Sequence, residues 1–207
     1  MIIKKIDSKY IDQELRKIEP LEIACCNWAK EFPYAPKVTC RLAHTSQNFI
    51  VYFEVEEQYT AARVSQDNGE VWTDSCVETF IALDDKGYYN FETTCIGKQL
   101  LAYRIEREVG VEHASQQIID RIKRTASLPN ENFEERVGEN HWNIMLEIPA
   151  EVLFRHKIQK WDGVKARINL YKCGDKLSHP HFLSWQPIDA PKPDFHLPRF
   201  FADVVFE

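Results

Sequence analysis

The stretch VWTDSCVETF, residues 71–80, sets Trp72, Asp74 and Glu78 at even spacing. In an extended chain, alternate side chains share a face. Trp72, Asp74, Cys76, Glu78 and Phe80 would then lie together, while Val77, Thr79, Ile81 and Leu83 supply an apolar set for a core. An indole beside carboxylates suits recognition of a sugar. A pyranose offers an apolar face of C–H groups, which an aromatic ring can cover, and a belt of hydroxyls for charged donors and acceptors. Carboxylates also suit glycoside hydrolysis, which needs two of them about 5–9 Å apart, one with a raised pKa. Glu78 with Asp74 or Glu92 offers such a pair by parity. A third reading is a structural or interaction domain in which Trp72 covers a sheet end and Glu78 is solvated.

A second indole strengthens the first reading. Trp185 sits in SWQP, within a segment stiffened by Pro180, Pro187, Pro191, Pro193 and Pro198, and a stiff loop loses less entropy when a ligand binds. Two indoles can sandwich one ring. The same segment carries His179, His181 and His196, and a metal site there would need Cys173 or Asp175 as a further ligand. Loop histidines are more often solvated or hydrogen-bonded. There is no G-x-S-x-G elbow and no cysteine in a motif beside a histidine, which argues against nucleophilic catalysis.

Alternation dominates the elements that must position these residues. NFIVYFEVE sets Phe49, Val51, Phe53 and Val55 on one side, and HWNIMLEIP does the same with Trp142, Ile144, Leu146 and Ile148. KVTCRLAHT, YYNFETTC, LLAYRIE, residues 118–125, VKARINLYK and ADVVFE read as further strands. Turn signals at Asp67-Asn68-Gly69, Asp84-Asp85-Lys86-Gly87, Gly138-Glu139-Asn140 and Asp162-Gly163 separate them. Helical crossovers are missing, so the pattern predicts an all-β, antiparallel sandwich. Two short helices are expected. One is in the N-terminal extension 1–20, where Tyr10, Ile11, Leu15 and Ile18 form a stripe stopped by Pro20; the other is at PAEVLF. Cys173–Phe200 reads as a long Pro-rich loop, a length that tends to be functional.

The 207 residues, 44% hydrophobic and 28% charged, suit a single domain over 1–207 with a real core. A net charge of −6 with scattered Lys and Arg speaks against nucleic acid as a partner. No apolar run approaches a membrane span, and MIIKKIDSKY has no signal-peptide core. The expected location is therefore cytoplasmic, or periplasmic or secreted if a leader has been removed. The six cysteines form no C-x-x-C pair and read as small buried hydrophobes in a reduced chain.

VWTDSCVETF, YYNFE, ARINLYKCGD, FLSWQP and PDFHLPRFFADVVF occur in an order that resembles the carbohydrate-binding modules of family nine, from about Val38 to the end. The resemblance implies an immunoglobulin-like β-sandwich without catalytic activity and a mono- or oligosaccharide partner, clamped between Trp72 and Trp185 with Glu78 accepting from its hydroxyls. It further implies polar support from Asp74, from Tyr89, Asn90 and Glu92, and from Asn169, Tyr171 and Lys172, together with a structural calcium. Xylanase-attached members carry an arginine in the strand that reads YYNFE here. With none in that strand, the cation would be Arg63, Arg104 or Lys172.

Overall fold

Directly opposed side chains show how the alternation becomes a core. Phe49, Val51, Phe53 and Val55 face Ile148, Leu146, Ile144 and Trp142 across one antiparallel pair, and all eight are buried. The computed structural model describes residues 1–207. Its strands are β1 (Ile2–Lys5), β2 (Leu21–Glu22), β3 (Lys37–His44), β4 (Asn48–Ala62), β5 (Cys76–Ala82), β6 (Tyr88–Thr94), β7 (Gln99–Arg104), β8 (Glu112–His113), β9 (Lys123–Ala126), β10 (Phe133–Pro149), β11 (Lys165–Cys173), β12 (Phe182–Ser184) and β13 (Ala202–Phe206). Two helices, α1 (Ile11–Leu15) and α2 (Gln116–Ile119), each span little more than one turn.

The strand order β8-β7-β6-β5-β11-β13-β1-β3-β4-β10-β9 describes one sheet curled over on itself, with β12 added to β11 and β2 to β3. The result is an all-β sandwich. β1 joins its two layers: Ile2 and Ile3 pair with β13 and Lys4 and Lys5 with β3, both parallel. The sheet is therefore mixed, where an antiparallel one was expected. IIKK buries only Ile3, so β1 carries too little apolar pattern to announce itself.

Other boundaries shifted for local reasons. The Gly138 turn signal marks a bulge inside β10: register slips between Val137 and Asn140, and Gly138 takes φ 145°, which favours glycine. Residues 118–125 are divided between α2 and β9. Of the N-terminal stripe, Leu15 is buried against Ala43 and Ile50, with Ile11 and Ile18 half-buried beside them. PAEVLF forms a 3₁₀ turn at Ala150–Val152. The segment 173–200 is broken by β12 and by a 3₁₀ turn at Pro198–Phe200.

Parity on β5, β6 and β11 assigns two faces. Val77, Ile81, Tyr89, Phe91, Ile168 and Leu170 enter the main core. Cys76, Phe80, Tyr88, Tyr171 and Cys173 enter a second apolar cluster on the opposite face, closed by Trp28, Phe195 and Phe201. The candidate site lies beside this second cluster.

Candidate functional site

On that second face Glu78 and Glu92 are direct cross-strand partners on β5 and β6, and Tyr171 flanks Glu78 on β11. The two carboxyls lie on the floor of a cleft of about 560 Å³, together with Leu100 and Cys173. Trp72 lines one side, held by a 3₁₀ turn at Val71–Thr73, and its carbonyl accepts a hydrogen bond from the Asp175 amide at 3.1 Å. Phe182, Phe195 and His196 line the cleft elsewhere. Phe195 stacks on Tyr171 at 4.2 Å and accepts its hydroxyl proton through a backbone carbonyl at 3.2 Å. His196 Nδ1 shares a hydrogen bond with the Tyr88 hydroxyl at 2.9 Å. These contacts hold the rings in place before any ligand arrives, which lowers the entropy cost of binding.

Arg104 supplies positive charge to the cleft and organises its floor. Its Nε donates to Asn90 Oδ1 at 3.1 Å, and Asn90 Nδ2 donates to Glu92 Oε1 at 2.7 Å. Glu92 Oε2 is buried with no partner in the protein, in a residue that lines the cleft. Glu78 Oε1 accepts from Cys173 Sγ at 3.0 Å. Burial, and then the neighbouring Glu92 charge, pushes the Glu78 carboxyl well above its ordinary range. Burial raises Glu92 to about 7, against the opposing pull of the Asn90 hydrogen bond and the Arg104 charge, and raises Asp175 to about 6. Burial, with Arg104 and Arg107 nearby, holds His196 down at about 3.

The raised carboxyl sets a pH dependence. Between about pH 4.5 and about pH 7 the folded chain keeps the Glu92 proton that the unfolded chain has released, so this group's contribution to stability falls as pH rises through that window. His196 acts with the opposite sign, since the unfolded chain binds its proton first as pH falls. Comparison with Glu92→Gln isolates the carboxyl. Thermal melts over the window should show a flatter or more upward trend with pH in the variant, and identical trends would contradict the assignment.

The cleft takes in Trp72, Glu78, Glu92 and Arg104 of the expected residues, with Asn90 just beneath. The others lie elsewhere, for reasons of parity and turn geometry. Trp185 is half-buried against the main core, because Leu183 and Trp185 share the inner face of β12 and its extension while Phe182 takes the cleft face. Trp185 is therefore not among the residues lining the cleft that Trp72 borders. Asp74 ends the 3₁₀ turn, and its Oδ2 accepts the Arg63 and Val64 amides, both at 2.7 Å. Arg63 itself pairs with Glu134 at 2.9 Å. Tyr89 points into the core and binds His156 Nδ1 at 2.8 Å. Asn169 is spent on the Leu170 and Gln186 amides, each at 2.9 Å.

Lys172 also faces inward. Its fully buried Nζ lies 2.8 Å from Glu57 Oε2, and it donates to the Cys173 carbonyl and to His181 Nε2. Of the three cations expected from sequence, Arg104 alone lines the cleft. Arg107, Asp175, Phe195 and His196 were not anticipated there, although PDFHLPRF, which contains the last two, belongs to the resemblance.

His179 stacks on Tyr59 at 4.0 Å and His181 is committed to Lys172, so both are engaged within the protein in the way the sequence favoured over a metal site. Calcium takes six to eight oxygen ligands. The one tight cluster of metal-ligating groups, Cys76, Glu78 and Cys173, offers two thiols and one carboxylate, a donor set unsuited to that ion.

Comparison with known proteins follows the same lines. A profile of Carbohydrate-binding family 9 matches residues 8–206. A provisionally assigned carbohydrate-binding protein from Bacteroides uniformis ATCC 8492 is 39% identical, with a TM-score of 0.93 over 100% of this chain and 98% of that one. A family 9 carbohydrate-binding module from Caldicellulosiruptor kristjanssonii shares the fold at 10% identity and a TM-score of 0.62. Its complex with cellotriose covers 100% of this chain and 93% of that one, and its complex with glucose 100% and 95%. No curated protein matches the chain. With the profile spanning nearly the whole length and a full-length likeness at 39% identity, the chain belongs to carbohydrate-binding family 9.

Proposed function

We propose that the cleft binds a mono- or oligosaccharide without cleaving it. The observation that carries this reading is the meeting, in one cavity, of a half-buried indole with buried carboxyls and an arginine. The apolar face of a pyranose lies on Trp72, and the Phe195–His196 wall closes the other side in the role that Trp185 was expected to fill. A ring hydroxyl that reaches Glu92 Oε2 exchanges a hydrogen bond with it and supplies the partner it lacks in the protein. A buried acceptor left unpaired costs about 1–3 kcal/mol, which a hydroxyl would offset. Arg104 donates to ring oxygens, and Glu78, which burial shifts toward its protonated form, can donate as well as accept.

The placement of the acids supports binding without hydrolysis. Glycosidases flank the scissile bond with their two carboxyls and need one of them ionised as nucleophile or base. Here Glu78 and Glu92 rise side by side from one floor, and burial favours the protonated form of both. The alternative partner for hydrolysis, Asp74, is committed to backbone amides.

The ligands of the Caldicellulosiruptor module, glucose and cellotriose, make a first panel, extended with xylose and common disaccharides. Calorimetry should give a Kd between roughly 1 μM and 1 mM for at least one of them, the range expected of a site holding about one ring. Absence of binding across a broad panel would overturn the reading. Release of reducing sugar from a glycan panel that is lost in Glu78→Gln would overturn its non-catalytic part.

A further inference from the structure

Cys76 and Cys173 face each other directly across β5 and β11, and Glu78 follows two residues after Cys76 on the same face. The two Sγ atoms and a Glu78 oxygen all lie within 4.8 Å of one another. Tetrahedral zinc, with Zn–S near about 2.3 Å and Zn–O near about 2.0–2.2 Å, sets its ligand atoms roughly 3.5 Å apart, so small side-chain rotations suffice. Three ligands on two paired strands are rigidly held, and because Cys173 and Glu78 line the cleft, a fourth position opens into it. Glu92, cross-strand to Glu78 and with Oε2 unpartnered, lies beside the cluster.

We propose that Cys76, Cys173 and Glu78 form a site for a thiophilic divalent cation of the zinc class, three-coordinate from the protein and open to the cleft. The soft thiolate pair selects zinc, cobalt or cadmium over calcium and magnesium. Both thiols are buried and hold their protons in the free protein; burial pushes Cys76 up to about 12 and Cys173 well above its ordinary value. Binding therefore forms two metal–sulfur bonds and one metal–oxygen bond and releases both thiol protons to solvent, together with the Glu78 proton where that is held. The site does not depend on whether the cleft takes a sugar.

Cobalt(II) is the probe, added to reduced, metal-free protein carrying Cys25→Ser and Cys26→Ser. These two changes remove the only cysteines that are not buried. The expected result is a sulfur-to-cobalt charge-transfer band that saturates at one ion per chain, release of at least two protons per ion in weakly buffered solution, and bleaching of the band by zinc. Cys76→Ser and Cys173→Ser, each checked for folding by circular dichroism, should weaken binding by at least about 100-fold, since losing even an outer partner of a ligand costs roughly 10- to 100-fold. Glu78→Gln should weaken binding but keep the band. Absence of the band in the parent protein, or its persistence in the double variant lacking Cys76 and Cys173, would overturn the proposal, and the first outcome needs no core variant to fold.

Discussion

Lys172→Ala is expected to lower the free energy of unfolding by about 3–5 kcal/mol, the usual cost of removing one member of a buried ion pair. The reason is the charge left behind. Glu57 Oε1 already accepts the Trp142 indole proton at 2.7 Å and the Thr60 hydroxyl at 3.1 Å, and its Oε2 faces only Lys172 and, at 4.0 Å, His181. Burial, and then the Lys172 charge, holds His181 well below its ordinary pKa, so His181 is neutral and accepts from Lys172 while its Nδ1–H donates to the His179 carbonyl. For a chain of this length the melting temperature should fall by roughly 6–20 °C. Pairing Lys172→Met with Glu57→Gln should recover most of the loss, because a neutral pair needs no counter-charge. A single-variant loss below about 1 kcal/mol in chemical denaturation would contradict this account. The cluster also bears on binding: His181 ties the β11–β12 connection to the sheet one residue before Phe182, which lines the cleft.

Trp72→Ala should weaken saccharide binding by about 30-fold. A pyranose face covering about 80 Å² of indole contributes about 2 kcal/mol at ~25 cal/mol/Å², and 1.4 kcal/mol is about tenfold in Kd. Trp72→Phe should recover part of this. Trp185→Ala should behave differently: it removes a side chain that packs on the main core, so the melting temperature drops while Kd, measured where the variant is folded, stays within about twofold. Calorimetry on the three variants separates the two tryptophans. Equal loss of affinity in Trp72→Ala and Trp185→Ala would favour the two-indole clamp expected from the sequence and contradict the present assignment.

How much of this was legible beforehand depended on parity and where it breaks. From Cys76 to Phe80 the even positions do share the cleft face, so Glu78 was readable. Trp72 also reaches the cleft, but through a 3₁₀ turn and not through an extended strand. Asp74 lies in the break between the two, where backbone amides of residues 63 and 64 claim its carboxylate. On β11 the odd positions Asn169 and Tyr171 face the cleft side, yet their polar groups are consumed in holding the 186–201 segment. The even position Lys172 faces the core. No spacing rule signals a buried lysine, because its partners come from β4 and from the loop before β12, remote in sequence. Trp185, assigned to the site through its Pro-stiffened loop and the resemblance, is not among the residues that line the cleft; β12 has three residues and borders an irregular segment, too short for alternation to indicate which face it takes. The sandwich was legible because its long strands alternate over many residues; the parallel joins through β1 were not, because four residues with one buried side chain leave almost no pattern.

The most direct test of the cleft is the response of the indole N–H resonances in a ¹⁵N-tryptophan-labelled sample titrated with glucose and cellotriose. Three of the five indoles donate to acceptors inside the protein, Trp28 to the Ala190 carbonyl, Trp142 to Glu57 and Trp161 to the Ile148 carbonyl; Trp142 and Trp161, in the main core, serve as internal references, whereas Trp28 packs on the cleft-lining Phe182 and Phe195. The account predicts a saturable shift of the Trp72 resonance with Trp142, Trp161 and Trp185 unmoved. A shift of Trp185 with Trp72 unchanged would contradict it.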